Sequence, residues 1–200
     1  NRWNIQTEST KADDLDYIEN IINQLKTFSN VDASNISLLG SSNGAAMVNR
    51  AMIELPAGTF KNAITLASQL STDQYNNDTF YGDDDNDGDY ETAYTLSQDL
   101  RVLSLHGTDD RTIPYEGGYV DWLSRTFIEA RESNLILARA LGYSGDLATS
   151  TTPFIEKPEI VKYEYLSGDV IHYQFIGGNH GIGGFKEEIN SIIEDFISDN

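Results

Sequence analysis

Apolar positions along this chain fall into two kinds of pattern, and their alternation predicts a mixed α/β protein. Leucine and isoleucine recur at helical spacing after Thr10, which predicts a helix from there to about residue 28. Short apolar runs that end at glycine or polar residues are typical of buried strands. These patterns predict strands at residues 36–39, 60–67, 100–106 and 170–176, a strand or extended segment at 160–165, and further helices at residues 44–54, 118–141 and 185–197. Because strands and helices alternate, we expect a mostly parallel sheet with helices on both faces.

Three segments lack either pattern. Residues 1–8 and the Ser/Thr/Gly/Pro-rich residues 142–157 are expected to form loops, and the polar, acidic residues 71–95 an excursion from the core. Thr10 and Asp13 have the spacing of a variant capping box, with Asp in place of Glu or Gln. This pair would begin the first helix.

The composition fits one globular domain and narrows the range of partners. The chain has 200 residues, 39% of them hydrophobic, which suffices for a single core. Its 32 acidic and 13 basic residues give a net charge of −19, which opposes binding to nucleic acid or to an anionic membrane surface. No apolar run approaches the roughly 20 residues of a membrane span. The absence of cysteine excludes disulfides, thiolate nucleophiles and Cys-based zinc sites.

The pentapeptide Gly40-Ser41-Ser42-Asn43-Gly44 lies between a predicted strand and a predicted helix. It matches the G-x-S-x-G nucleophile elbow in the context that this motif requires. Small flanking residues let the strand and helix approach closely around a strained serine, whose hydroxyl then projects above the sheet. The N–H of Asn43 would point at an oxyanion, aided by the helix dipole. The alternative is a turn that merely joins strand to helix.

A serine nucleophile needs a base, and the chain has three histidines. His172 lies within an alternating strand and is expected to be a sheet-face residue. His106 ends a strand, and a role in shaping the following turn is favoured over catalysis. His180 lies in a glycine-rich loop between the last strand and the last helix. Because sites in open α/β sheets collect at the carboxyl ends of strands, we predict His180 as the base.

The orienting acid is expected after a strand that lies between Ser42 and His180 in the chain. Asp109 and Asp110 both follow the strand that ends at His106, and spacing alone does not choose between them. Either one gives the order Ser, Asp, His that is typical of α/β-hydrolases.

Taken together, these segments resemble the polyhydroxybutyrate depolymerase-like and feruloyl esterase-like branch of the α/β-hydrolases. The matching segments, in chain order, are Arg2-Trp3-Asn4, Lys11-Ala12-Asp13-Asp14, Gly40-Ser41-Ser42-Asn43-Gly44, His106-Gly107-Thr108-Asp109-Asp110, Ile113-Pro114-Tyr115-Glu116-Gly117-Gly118 and Gly177-Gly178-Asn179-His180. The resemblance implies an α/β-hydrolase fold, and it places the acid on Asp110, the fifth residue of H-G-T-x-D. It further implies hydrolysis of hydroxyalkanoate, aryl or acetyl esters.

The sequence departs from this family at two places. Family members often carry an aromatic residue soon after the histidine, whereas Gly181-Ile182-Gly183 follows here. The family also has several strands upstream of Trp3-Asn4, including a His-Gly-rich loop that supplies a second oxyanion donor, and this chain lacks them. We therefore expect a fold without its first strands. The bare edge of the elbow strand would be covered by another copy, as in a homo-oligomer, or by a complementary N-terminal fragment.

Two further expectations concern the start of the chain and the location of the protein. The chain begins at Asn1 with neither an initiating methionine nor a signal peptide, so we expect that upstream sequence was removed or is not included. We expect a secreted or periplasmic location.

The acidic residues 83–89 contain D-x-D-x-D-G, the start of a calcium loop. Alternate carboxylates can present oxygen ligands to one ion, and the candidates are Asp83, Asp85, Asp87 and Asp89, in a structural role. The twelfth position is Tyr94 rather than the bidentate glutamate of an EF-hand. A solvated acidic excursion without an ion is the alternative.

These observations predict a serine carboxylic-ester hydrolase that needs no cofactor for catalysis. Ser42 is the nucleophile, His180 the base, Asp110 the orienting acid and Asn43 the oxyanion donor, and the substrate is a small or polymeric ester. Two alternatives stay open: a serine peptidase of the prolyl-oligopeptidase type, and a non-catalytic, hydrolase-like module for calcium-dependent binding or assembly.

Overall fold

The computed structural model describes residues 2–5 and 12–199 and shows a mixed α/β fold. In chain order its helices and strands are α1 (Asp14–Leu25), β1 (Ser37–Ser41), α2 (Asn43–Glu54), β2 (Asn62–Leu66), β3 (Tyr75–Asn76), β4 (Thr79–Gly82), β5 (Thr92–Tyr94), β6 (Arg101–Gly107), β7 (Gly118–Val120), β8 (Arg125–Phe127), α3 (Ala130–Ala140), β9 (Ile160–Tyr165), β10 (Val170–Phe175) and α4 (Lys186–Ser198). The helix and strand pattern read from the sequence is confirmed for most of these elements.

Five strands form the main sheet, in the order β1-β2-β6-β10-β9. Four of them run parallel, and β9 pairs antiparallel with β10 at one edge. The mostly parallel sheet is therefore confirmed. At the other edge, β1 pairs with β2 alone among the described strands. Whether another copy or a separate fragment covers this edge stays a prediction.

Successive residues of the central strands alternate between two apolar clusters, which places a core on each face of the sheet. On β10, Val170 packs with residues of α1, α2 and α3, whereas Ile171 packs with residues of α4. On β6, Val102 and Leu103 divide between the clusters in the same way. Because side chains on a strand point to alternate faces, α4 covers one face and the other helices cover the opposite one.

The predicted helix at residues 118–141 is wrong in its first part. Residues 118–127 form a hairpin of β7 and β8, and α3 begins only at Ala130. Gly118 has φ 100°, and Ser124 at the hairpin turn is left-handed, so neither fits a helix. Glu129 caps α3, because its carboxylate accepts from two N–H groups of the first turn.

The acidic excursion at residues 71–95 has its own secondary structure. Strands β3, β4 and β5 form a small antiparallel sheet. Phe80 on β4 is buried in the core that contains α2, and Tyr75 and Tyr94 pack against the same core, so this segment packs against the domain. The predicted excursion is therefore a small folded sheet that contributes to the core.

The N-terminal helix starts later than predicted. Asp13 is its N-cap and accepts the N–H of Asp16 through its carboxylate at 2.9 Å. Thr10, the other half of the predicted capping box, lies outside the described residues. None of the helices in the described part of the chain combines the length and apolar character needed to cross a membrane.

Candidate active site

Ser42 occupies a strained turn between β1 and α2. Its backbone angles are φ 55° and ψ −119°, which residues with side chains rarely adopt. A Cβ atom at Gly40 would lie 2.2 Å from the carbonyl oxygen of Gly44, so only glycine lets the strand and helix approach this closely. The N–H of Ser42 donates to the carbonyl of Leu66 on β2 at 2.9 Å. The turn is therefore tied to the sheet, with Ser42 at the carboxyl end of β1.

His180 lies between Ser42 and Asp110. Its Nε2 is 2.8 Å from the Ser42 Oγ, and its Nδ1 is 2.7 Å from Asp110 Oδ2. A carboxylate oxygen only accepts, so Nδ1 carries the proton and Nε2 accepts the hydroxyl hydrogen of Ser42. This is the arrangement in which an imidazole can take a proton from a serine. The structure brings the three predicted residues together, and we call them the triad.

Asp110 is buried and receives four N–H donors. Its Oδ1 accepts the backbone N–H groups of Thr112 at 2.8 Å and Ile113 at 3.0 Å. Its Oδ2 accepts from His180, and from His106 at 3.1 Å. Burial alone would raise the pKa of Asp110, but these hydrogen bonds outweigh it and lower the pKa to about 2. The carboxyl group is therefore ionised at neutral pH.

Asp109, the alternative acid, does not face His180. Its side chain is exposed, and Thr108 Oγ1 donates to Asp109 Oδ1 at 3.4 Å. Its backbone N–H donates to the carbonyl of Gly178 at 2.8 Å. Asp109 thus ties two loops together, and Asp110 provides the carboxylate of the triad.

The loops after β6 and β10 are held in close contact. A Cβ atom at Gly107 would lie 2.2 Å from the carbonyl oxygen of Gly178. Thr108 links the loops twice, because its N–H donates to the Phe175 carbonyl at 2.9 Å and its hydroxyl accepts from the Gly177 N–H at 2.8 Å. Asp110 lies three residues after Gly107, and His180 lies two residues after Gly178. The contact between the two glycines therefore sets the spacing between Asp110 and His180.

Asn43 is the first residue of α2, where backbone N–H groups have no partner within the helix. Its side chain pairs with the backbone of Trp3, whose N–H donates to Asn43 Oδ1 at 2.7 Å and whose carbonyl accepts from Nδ2 at 3.2 Å. The segment at residues 2–5 therefore crosses the start of α2 beside Ser42. The sequence pattern gave no sign of this pairing.

The other two histidines are buried away from Ser42. His172 on β10 lies 2.9 Å through Nε2 from the Tyr115 hydroxyl and 3.1 Å through Nδ1 from the Ser104 hydroxyl. Its complete burial, with His106 and Arg131 nearby, lowers its pKa to about 3, so it is neutral. The interpretation of His172 as a sheet-face residue is confirmed.

His106 contacts the turn that follows β6, as predicted from its position. Its Nε2 lies 3.0 Å from the carbonyl oxygen of Ile113. Its further contact with Asp110 was not anticipated. The signal in the sequence was the four-residue separation of the two residues around a glycine-containing turn.

A groove with a volume of about 1330 Å³ lies beside β1 and reaches Ser42. Its walls include exposed apolar side chains of α1 and β1, among them Tyr17, Ile21, Leu25 and Leu39. Arg2 and Trp3 line the end near the triad. An apolar part of a substrate could lie in this groove while its reacting carbon meets Ser42.

The acidic loop, residues 83–89, brings three of its four predicted ligands together. Asp83, Asp85 and Asp87 can place one carboxylate oxygen each within 4.8 Å of one another, and Asp89 is not in that group. Asp83 is buried and already has partners: it accepts the N–H groups of Asp87 and Gly88, and Arg50 Nη1 lies 3.7 Å from its Oδ2. Arg50 thus supplies positive charge inside the loop, and calcium binding stays a prediction.

No protein-family model matches the chain, and a search of curated proteins returns no match. The resemblance to the depolymerase-like branch therefore stays a prediction, and the geometry of the triad carries the functional inference.

Proposed function

We propose that this chain is a serine hydrolase of carboxylic esters with an α/β-hydrolase fold. The observation that carries the proposal is the continuous hydrogen-bonded line from Ser42 through His180 to Asp110, with distances of 2.8 and 2.7 Å. Each of these residues follows a different parallel strand, so all three lie at the carboxyl ends of the strands. Catalytic groups collect at these ends in open α/β sheets.

In the first half of the reaction, Ser42 Oγ attacks the ester carbonyl carbon while His180 Nε2 takes the hydroxyl proton. The carbonyl oxygen becomes an oxyanion, and the backbone N–H of Asn43 donates to it. The tetrahedral intermediate then breaks its bond to the alcohol oxygen. His180 returns its proton to that oxygen, and the alcohol leaves an acyl group on Ser42.

In the second half, a water molecule replaces the alcohol. His180 takes a proton from the water, and the resulting hydroxide attacks the acyl carbon. Collapse of this intermediate breaks the bond to Ser42 Oγ, which regains its proton from His180. Asp110 stays ionised throughout, because four N–H donors surround it, and it stabilises the imidazolium that forms in each half.

Two features favour an enzyme over a non-catalytic module. The backbone of Ser42 combines φ 55° with ψ −119°, a strained conformation of the kind that clusters at active sites. Asp110 is a buried charge that faces a partly exposed imidazole, with 28% of the His180 side chain accessible. Neither packing nor solubility requires this combination at one rim of the sheet.

The experiment is hydrolysis of 4-nitrophenyl acetate compared with a peptide 4-nitroanilide. We expect the ester to be turned over, and Ser42→Ala to lower kcat on the order of 10⁶-fold. Ser41→Ala, which removes the exposed neighbouring hydroxyl, is the matched control and keeps wild-type turnover. Amide cleavage without ester turnover would favour the peptidase alternative. No turnover of either substrate would favour the non-catalytic module.

A further inference from the structure

His106 is a second imidazole on the carboxylate of the triad. It lies near the end of β6 with 1% of its surface exposed. Its Nε2 has two neighbours, Asp110 Oδ2 at 3.1 Å and the Ile113 carbonyl oxygen at 3.0 Å. Both only accept hydrogen bonds, so Nε2 carries the proton and donates to both. Its Nδ1 is buried and has no hydrogen-bond partner in the part of the chain described.

We propose that His106 is a positioning residue, which acts through Asp110 to hold the triad in its reactive alignment. This inference rests on the proposed esterase function. It adds a fourth side chain to the machinery, one that touches neither the substrate nor Ser42.

The geometry explains how His106 would fix the carboxylate. The backbone N–H of Ile113 donates to Asp110 Oδ1 and its carbonyl oxygen accepts from His106, so the Ile113 backbone bridges the two residues. Asp110 is thereby held at both oxygens, and rotation of its carboxylate would break bonds on both sides. Oδ2 stays directed at His180 because His106 donates to it from the protein interior.

The surroundings of His106 hold it rigidly. The ring of Tyr115 packs edge-on against it, with centroids 5.6 Å apart and an angle of 75° between the planes. This contact restricts the orientation of the His106 imidazole, which supports Asp110 from the protein interior. Preorganised polar groups of this kind reduce the reorganisation that a reaction needs.

The test compares His106→Leu with His106→Gln. Leucine has no donor, whereas a glutamine amide can place an N–H near the position of Nε2. We expect His106→Leu to lower kcat by about 10- to 100-fold, the range for losing one hydrogen bond to a charged group, with KM within about twofold. Fluorophosphonate labelling, which needs no bound substrate, should slow to the same extent. His106→Gln should recover most of the loss.

The matched control is His172→Leu, which removes an equally buried imidazole that has no hydrogen bond to Asp110. We expect it to keep kcat within about threefold, because a structural perturbation without loss of the Asp110 contact has little effect on the triad. A similar loss of kcat in His106→Leu and in the His172 variant would show that His106 acts only through packing and would overturn the inference.

A double-mutant cycle separates positioning from general destabilisation. If His106 acts through Asp110, His106→Leu should change kcat by less than about twofold in an Asp110→Asn background. An undiminished loss in that background contradicts the proposal. If wild type and His106→Leu turn over esters with the same kcat, the positioning role of His106 is contradicted. The proposed esterase function is unaffected by that result.

A nitrogen NMR measurement on wild-type protein covers the case in which His106→Leu does not fold. We expect His106 to carry its proton on Nε2 and none on Nδ1. A proton on Nδ1 with a bare Nε2 would remove the donor to Asp110 and overturn the inference, whatever the activity of the protein.

Discussion

Two buried aspartates, Asp110 in the triad and Asp83 in the acidic loop, respond to burial in opposite ways. Burial raises the pKa of Asp83, and the loop N–H groups and Arg50 do not compensate, partly because Asp87 adds a like charge. Burial also disfavours the anion of Asp110, but four N–H donors outweigh it and lower its pKa to about 2. The number of donors and the sign of nearby charge, rather than burial itself, decide which aspartate is held as an anion.

The two aspartates also differ in what brings their neighbours together. The partners of Asp83 lie mostly within one short loop, joined by Arg50 from α2. The partners of Asp110 come from β6, the turn after it and the loop after β10. The triad therefore depends on the main sheet, whereas the acidic loop depends on local turns. Changes at the first region should affect catalysis, and changes at the second should not.

The largest expected effect is on the orienting acid. Asp110→Asn should lower kcat by about 10⁴-fold, because an amide favours the wrong imidazole tautomer while keeping the shape of the side chain. Steady-state ester hydrolysis measures it. Asp109→Asn, the exposed neighbour, is the control and should keep wild-type kcat. Equal losses in the two variants would show that Asp110 has no special role.

The contact between the loops after β6 and β10 is the next target. Gly107→Ala would place a Cβ atom against the Gly178 carbonyl at 2.2 Å and push Asp110 away from His180. We expect kcat to fall by about 100-fold and the free energy of unfolding by about 1–3 kcal/mol. Urea unfolding and ester turnover measure the two effects. The control is Gly183→Ala, which lies in the same loop as Gly178 but has ordinary space around it. It should leave kcat and the free energy of unfolding unchanged.

The pH dependence of stability tests the opposite pKa changes directly. The pKa of Asp110 is about 2 in the folded protein, against about 3.9 for an unfolded aspartate, so its anion stabilises the fold above about pH 4. That contribution, about 2.5 kcal/mol, is lost as the pH falls toward 2. The pKa of Asp83 is raised in the folded protein, so its anion costs stability at neutral pH, and the cost disappears as the pH falls.

Urea unfolding at several pH values below 6 measures this difference. The stability of wild type relative to Asp110→Asn should shrink as the pH falls, and that relative to Asp83→Asn should grow. Changes of the same sign for both variants would contradict the comparison.

The smallest effect is expected at the exposed part of the acidic loop. Asp85→Asn and Asp87→Asn, made together, should leave kcat within about twofold and the free energy of unfolding within about 0.5 kcal/mol, since both side chains are exposed. Isothermal titration of calcium into wild type and into the double variant tests the prediction that the loop binds an ion. Heat released by wild type alone would support it, and a kcat that falls in the double variant would contradict the separation of the two regions.

Sequence patterns predicted the parts of this molecule that depend on local chemistry. The elbow around Ser42 follows from glycines at fixed spacing between a strand and a helix, and His180 follows from its position after the last strand. The hairpin at residues 118–127 was missed, because its apolar positions also fit a helix. Its pairing is set by tertiary contacts, such as the bridge between Ser71 and Phe127.

The surroundings of Asp110 could not be predicted, because they depend on a tertiary approach. The choice of Asp110 over Asp109 came from the family resemblance, because spacing alone does not report the loop contact at Gly107. To predict the contact of His106 with Asp110 Oδ2, one must know where the His106 side chain points. That direction is set by the register of β6 in the centre of the sheet. Convergence of this kind becomes visible only once strands are placed side by side.

The measurement that tests the central claim most directly is mass spectrometry of the protein after reaction with a fluorophosphonate. We predict one phosphonyl group per chain, attached to Ser42, and no adduct after Ser42→Ala. An unlabelled wild-type protein, or an adduct that persists at another residue in Ser42→Ala, would contradict the account.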